Sequence, residues 1–180
     1  MALFLLDRDG VVIVNRRDNI KNPADLELIA GVGPAIARLN QAGVTVAICT
    51  NQPEVARGVM TRAALDAVHR ALADRLAAEG ATIEHVLCCT AEAKCPRLKP
   101  AAGMLAEALA RYGAAAAETP FVGDRADDLR AAFHAGCKRV LVRTGLGRKT
   151  LAEGIPPYVA PVAVHDDLAA AVDAWLAGRF

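Results

Sequence analysis

Six short apolar runs, separated by stretches with helical periodicity, restrict this chain more than any other feature. The runs are LFLLD (3–7), VTVAICT (44–50), IEHVLCC (83–89), PFVGD (120–124), RVLVRT (139–144) and PVAVH (161–165). Each is the length of a strand buried on both faces, which is how strands of a parallel sheet read. The stretches between them supply the crossover helices that such a sheet needs. One helix is expected over 32–42, stopped by Gly43. A longer one is capped by Thr61, carries Leu65, Val68, Leu72 and Leu76 on one face and ends at Gly80. Further helices are expected from Pro100 to Gly113, over 127–135 and over 167–177. The chain of 180 residues is long enough for one full core and short for two, so a single domain over 1–180 is expected.

Composition narrows the function. The formal net charge is +1 and no run of five like charges occurs, so there is no electrostatic case for nucleic acid or an acidic membrane. Aromatic residues make up only 4%, too few for a base-stacking platform. No apolar stretch reaches the length of a membrane span, and Met1 leads almost at once into a strand. Five cysteines, an odd number without an export signal, argue against a disulfide framework and for a cytoplasmic protein.

The polar clusters fall at the carboxyl ends of the runs, where ligands bind in parallel sheets. LFLLDRDG ends in Asp7 and Asp9, two acids whose mutual repulsion needs a divalent cation or plain solvation. With a cation beside it, an aspartate can attack phosphorus; a second acid can protonate the leaving oxygen and later activate water. Thr50 and Asn51 end the second run with donors suited to phosphate oxygens. Lys99 supplies positive charge for a transition state, and VGDRADD offers Asp124 to the metal and Asp128 to support it.

The order D-x-D, Thr, Lys before a helix, then G-D-x-x-x-D resembles the haloacid dehalogenase-type phosphatases. DRDGVV, TNQ followed by ARG, KPAAGM, VGDRADDLRAA and VRTG with GRKTLAEG make the chain look most like their D,D-heptose 1,7-bisphosphate phosphatases and histidinol-phosphate phosphatases. The resemblance implies an α/β, three-layer Rossmann-like sandwich with a mainly parallel central sheet and no large cap domain. It implies a Mg²⁺-dependent phosphomonoesterase with Asp7 as nucleophile and Asp9 as general acid and base. Mg²⁺ would be held by Asp7, the Asp9 carbonyl and Asp124. Thr50, Asn51 and Lys99 would bind the transferring phosphoryl group. Gln52, Arg57 and Arg97 are, beyond what the resemblance implies, this chain's own candidates for further substrate contacts. The substrate implied is D-glycero-D-manno-heptose 1,7-bisphosphate, losing its 7-phosphate, and the protein would act as a monomer or weak homo-oligomer. A different small phosphorylated metabolite, or a relative that binds without turnover, are the alternatives; the intact acids and lysine argue against the last.

Several residues depart from the family pattern. Its zinc loop, C-x-H then C-x-C-R-K-P, is here CCT (88–90) and CPRLKP (95–100). Cys88, Cys89 and Cys95 fall short of the four closed ligands of structural zinc, and His85 precedes Cys88 by three residues on a strand, so zinc is not expected. Leu98 replaces an arginine that helps to read substrate, leaving Arg97 as a substitute one position earlier. TNQSG becomes TNQPE, so Pro53 removes a donor and Glu54 adds negative charge.

Other residues have plainer readings. Arg143, Arg148 and Lys149 are candidates for the mouth of the site but also ordinary loop residues. GLGRKT lacks phosphate-loop spacing. His69 and His134 read as packed or solvated helix residues, and Asp127 as a helix-start acid.

Overall fold

The computed structural model describes residues 1–16 and 20–179. Six strands form one sheet: β1 (Leu3–Leu6), β2 (Thr45–Asn51), β3 (His85–Cys89), β4 (Pro120–Gly123), β5 (Lys138–Val142) and β6 (Val162–His165). Their order is β3-β2-β1-β4-β5-β6 and every pairing is parallel. The direction of winding reverses between β1 and β4, and that is where a crevice opens beyond the strand ends. The helices are α1 (Val32–Gln41), α2 (Arg62–Ala78), α3 (Gly103–Tyr112), α4 (Ala126–Ala135), α5 (Gly147–Glu153) and α6 (Leu168–Leu176).

Strand alternation sorts the core into layers. Phe4 and Leu6 of β1, with Val46 and Ile48 of β2, pack toward α1, α2 and α6. Leu3 and Leu5, with Ala47, Cys49 and Phe121, pack toward α3 and α4. The three-layer α/β sandwich is thus as expected. Among the described residues between β1 and β2 there is no inserted cap: besides α1 they carry a short 3-10 turn, Pro23–Asp25, and bridges from Ile13 to Asp9 and Leu28.

Thr61 caps α2 as expected, its hydroxyl accepting from the Ala64 amide at 3.1 Å. Helix α3, in contrast, starts at Gly103 and not at Pro100. The first bond of a helix from Pro100, from the Gly103 amide to the Lys99 carbonyl, is pre-empted: Gly103 donates to the Pro96 carbonyl at 2.9 Å, and the Lys99 carbonyl accepts from Asn51 Nδ2. Helix α5 was not foreseen. Of its seven residues only Gly147 and Thr150 are buried, so it has no apolar stripe for periodicity to detect. Among the described residues no helix is long and apolar enough to cross a membrane.

Candidate active site

The carboxyl ends of β1, β2 and β4 meet around a cavity of about 420 Å³. Asp7, Asp9, Asn51, Gln52, Arg57, Lys99 and Asp128 are in its wall. Asp7 follows β1 in the phase of Leu3 and Leu5, and its amide is held by the Val122 carbonyl of β4 at 2.8 Å. Asp124 leaves β4 and is fully buried. Asp128 lies in the first turn of α4, where its Oδ2 accepts from the amides of Asp124 (3.2 Å) and Arg125 (3.0 Å).

One oxygen from each of Asp7, Asp124 and Asp128 lies within 4.8 Å of the other two. Facing them is Lys99, whose Nζ is 2.7 Å from Asp7 Oδ1 and 2.7 Å from Asp128 Oδ1. Asn51 sets the lysine in place: its Oδ1 accepts from the Lys99 amide and its Nδ2 donates to the Lys99 carbonyl, each at 3.0 Å. Two of the three buried carboxylates, Asp7 and Asp128, thus share a single ammonium. Burial lifts Asp7 to about 7 against the pull of Lys99. Burial, reinforced by Asp128, lifts Asp124 to about 6. For Lys99, burial is outweighed by Asp128 and Asp7, which hold it protonated.

The cluster lacks positive charge at a definable point. Asp124 Oδ2 accepts from the Leu146 amide at 2.7 Å, but its Oδ1 is buried without a hydrogen bond. Its nearest cation is Arg125 Nε, 3.8 Å away. A buried carboxylate oxygen left this way is costly unless a cation meets it. Oxygen donors, compact spacing and surplus negative charge fit a hard divalent ion, with Asp7 and Asp124 as side-chain ligands. Asp128 is already engaged by Lys99 and two amides, which leaves it to brace the lysine and the loop.

Glycines make this packing possible. A Cβ on Gly10 or Gly145 would fall 2.1 or 2.2 Å from Asp124 Oδ2, and both residues have positive φ. The GLGRKT stretch, which lacks phosphate-loop spacing, has a different role: Gly145 and Leu146 cradle Asp124, and Thr150 Oγ1 donates to the Asp124 carbonyl at 2.8 Å.

Of the expected substrate contacts, Arg97 is not brought to the cavity, and Gln52 is brought there with its amide already hydrogen-bonded within the protein. Arg97 turns away and pairs with Glu107 of α3 at 3.3 Å; it is Leu98 that lines the wall. The turn over 95–98 sends neighbouring side chains in different directions, so being one position away did not preserve aim. Gln52 reaches the cavity, but its amide is consumed by the protein: Oε1 accepts from Arg8, while Nε2 donates to Asp9, Thr50 and the Asn51 carbonyl. Arg57 lines the cavity and pairs with Glu92 at 2.7 Å. Arg143 and Lys149 pair instead with Asp166 and Glu153 outside it. Asp127 pairs with Arg130 at the start of α4 and also lines the wall, together with Pro53, Glu54 and Arg125.

The cysteines do not gather: Cys89 and Cys95 touch, with sulfurs 3.7 Å apart, while Cys88 is on the opposite face of β3. Among the described residues the sole group of three or more potential ligands is the aspartate cluster.

Three comparisons bear on this site. Residues 97–171 match the family model described as HAD-hydrolase-like. The D-glycero-beta-D-manno-heptose-1,7-bisphosphate 7-phosphatase of Bordetella bronchiseptica is 41% identical over 96% of this chain and 97% of its own. That of Pseudomonas putida is 39% identical over 94% and 97%. The crystal structure of D,D-heptose 1,7-bisphosphate phosphatase from B. bronchiseptica, complexed with magnesium and phosphate, superposes with a TM-score of 0.93 at 40% identity over 99% of both chains.

Proposed function

The chain belongs to the HAD-like phosphatases, among relatives curated as heptose-1,7-bisphosphate 7-phosphatases, and we propose that it removes the 7-phosphate of D-glycero-D-manno-heptose 1,7-bisphosphate with Mg²⁺. The observation that carries this reading is the convergence of Asp7, Asp128 and Lys99 in one cavity wall, with Asp9 beside them and the buried Asp124 directly behind.

Each residue then has a task. Asp7 attacks phosphorus, and the bond from phosphorus to the sugar oxygen breaks as Asp9 delivers its proton to that oxygen. A water then attacks the phospho-aspartate, giving its proton to Asp9 and releasing phosphate from Asp7. Lys99 meets the negative charge on the phosphoryl oxygens and Asn51 holds Lys99 in register; Thr50, whose Oγ1 accepts from Gln52 Nε2, would donate its own hydroxyl proton to the same oxygens. Asp7, Asp124 and the Asp9 carbonyl would hold Mg²⁺, which when bound offsets the carboxylate repulsion and polarises the phosphoryl group. Arg57, released from exposed Glu92, is our candidate for contact with the rest of the substrate. All of these groups come from one chain, which supports activity as a monomer or weak homo-oligomer. Five free thiols support a reducing compartment such as the cytoplasm.

Leu98 in the wall and Arg97 turned to Glu107 favour a second reading, in which another small sugar phosphate is preferred. One experiment separates the two. A panel with both heptose-bisphosphate anomers, monophosphates and histidinol phosphate is ranked by kcat/KM in Mg²⁺. A heptose bisphosphate at the top supports the first reading. A higher rank for a monophosphate supports the second, and no turnover of any member with Mg²⁺ removes both.

A further inference from the structure

The alternation of β1 runs on beyond its last residue. Asp7 continues the phase of Leu3 and Leu5; Arg8 continues that of Phe4 and Leu6 and so points toward α2. It is fully buried. A guanidinium is kept out of water only when its donors are met, and here they are met from several edges. Nε and Nη2 donate to Asp9 Oδ2 and Oδ1, both at 3.1 Å, and Nη2 also donates to Gln52 Oε1 at 2.8 Å. Gln52 Nε2 closes the ring by donating to Asp9 Oδ2 at 2.9 Å. Arg8 Nη1 meets Nε2 of His69 on α2 at 3.1 Å.

Arginine only donates, so His69 Nε2 has to be the acceptor, which makes the ring neutral and protonated on Nδ1. Burial first, and then the guanidinium itself, push His69 down to about 4, in keeping with that form at neutral pH. His69 is absent from the cavity wall. Its bond to Arg8 nevertheless fixes the edge of the guanidinium opposite Asp9. Because the guanidinium is planar and rigid, holding both edges sets its orientation, and with it the carboxylate bonded to it.

We propose that His69 is a positioning residue, which through Arg8 holds the Asp9 carboxyl group where the proton it has taken up from the hydrolytic water of the previous cycle can pass to the leaving oxygen. This rests on the phosphatase reading above. Asp9 lies in the loop after β1 with its side chain 18% exposed to the cavity, so its aim comes from Arg8 and Gln52 and not from packing. Loss of the His69 anchor lets the clamp rotate, and general-acid transfer is sensitive to displacements of this kind.

The test uses the dependence on leaving group. An alkoxide needs a proton as it departs, whereas nitrophenolate leaves readily without one. With saturating Mg²⁺, His69→Leu is expected to lower kcat/KM on the preferred sugar phosphate, which reports transfer to Asp7 and not the later hydrolysis common to all substrates, by about 10-fold or more. On p-nitrophenyl phosphate the loss should be less than about 3-fold. His69→Gln places an amide oxygen near the position of Nε2 and should restore most of the rate. If His69→Leu does not fold, His69→Asn, too short to reach Arg8, replaces it with the same expected pattern. Equal losses on both substrates, or no loss, would overturn the proposal while leaving the phosphatase reading intact. Failure of the unmodified enzyme on both substrates would instead strike the reading on which it rests.

Discussion

Replacing Lys99 by methionine removes the single ammonium from a cluster of three buried carboxylates. Each 2.7 Å pair is worth about 6 kcal/mol of gross attraction at an effective dielectric of about 20, much of it offset by desolvation. The net cost of deleting one partner of a buried pair is about 3–5 kcal/mol. At roughly 2–4 °C per kcal/mol for a chain of this size, the metal-free variant should melt about 10 °C below the parent. Saturating Mg²⁺, binding among the same acids, should recover part of the difference. The loss should also shrink at lower pH, because Asp7 and Asp124, already lifted by burial, take up protons once Lys99 no longer opposes it. Turnover should fall by about 10²–10³-fold even with metal bound, since charge facing the phosphoryl group is lost. Melting in EDTA across pH, followed by kinetics in Mg²⁺, measures both effects. A drop of less than about 2 °C at neutral pH would refute the idea that this lysine balances the cluster.

Three further outcomes are expected. Asp7 and Asp124 rise from their ordinary 3.8 to about 7 and about 6, so the native chain holds more protons than the unfolded one in between. Stability of the metal-free protein should therefore fall as pH rises from about 4 to about 7, as melting in EDTA would show. Mg²⁺ has to displace the same protons, so calorimetric titration should find tighter binding and less proton release as pH rises from about 6 to about 8. Gly145→Ala puts a Cβ 2.2 Å from Asp124 Oδ2 and should raise the Mg²⁺ needed for half-maximal activity by about 10-fold or more. Gly43→Ala, also at positive φ but with open space around it, should leave that requirement unchanged and cost only about 1–2 kcal/mol.

Much of this arrangement was legible because burial and alternation are strong signals. The six apolar runs located every strand to within two residues, and acids directly after β1 and β4 marked the crevice. What escaped has physical causes. Arg8 was passed over because hydropathy assigns arginine to the surface, although the phase of Phe4 and Leu6 would have aimed it at α2. Arg97 was assigned by proximity to the lysine, but the backbone turn before α3 decides which side chain enters the cavity. Gln52 is expected as a substrate contact; sequence does not reveal that Arg8 donates to its amide oxygen or that its nitrogen donates to Asp9 and Thr50. Helix α5 escaped because it contributes backbone and a hydroxyl to Asp124 and not an apolar face to the core.

The central claim is that Asp7 carries the phosphoryl group, and its most direct test is to trap that acyl-phosphate. Borohydride added during turnover in Mg²⁺ reduces an aspartyl phosphate to homoserine, which peptide mass spectrometry locates. Homoserine is expected at position 7, only when substrate and Mg²⁺ are both present. Its appearance at another aspartate, or its absence while phosphate is steadily released, would contradict the account.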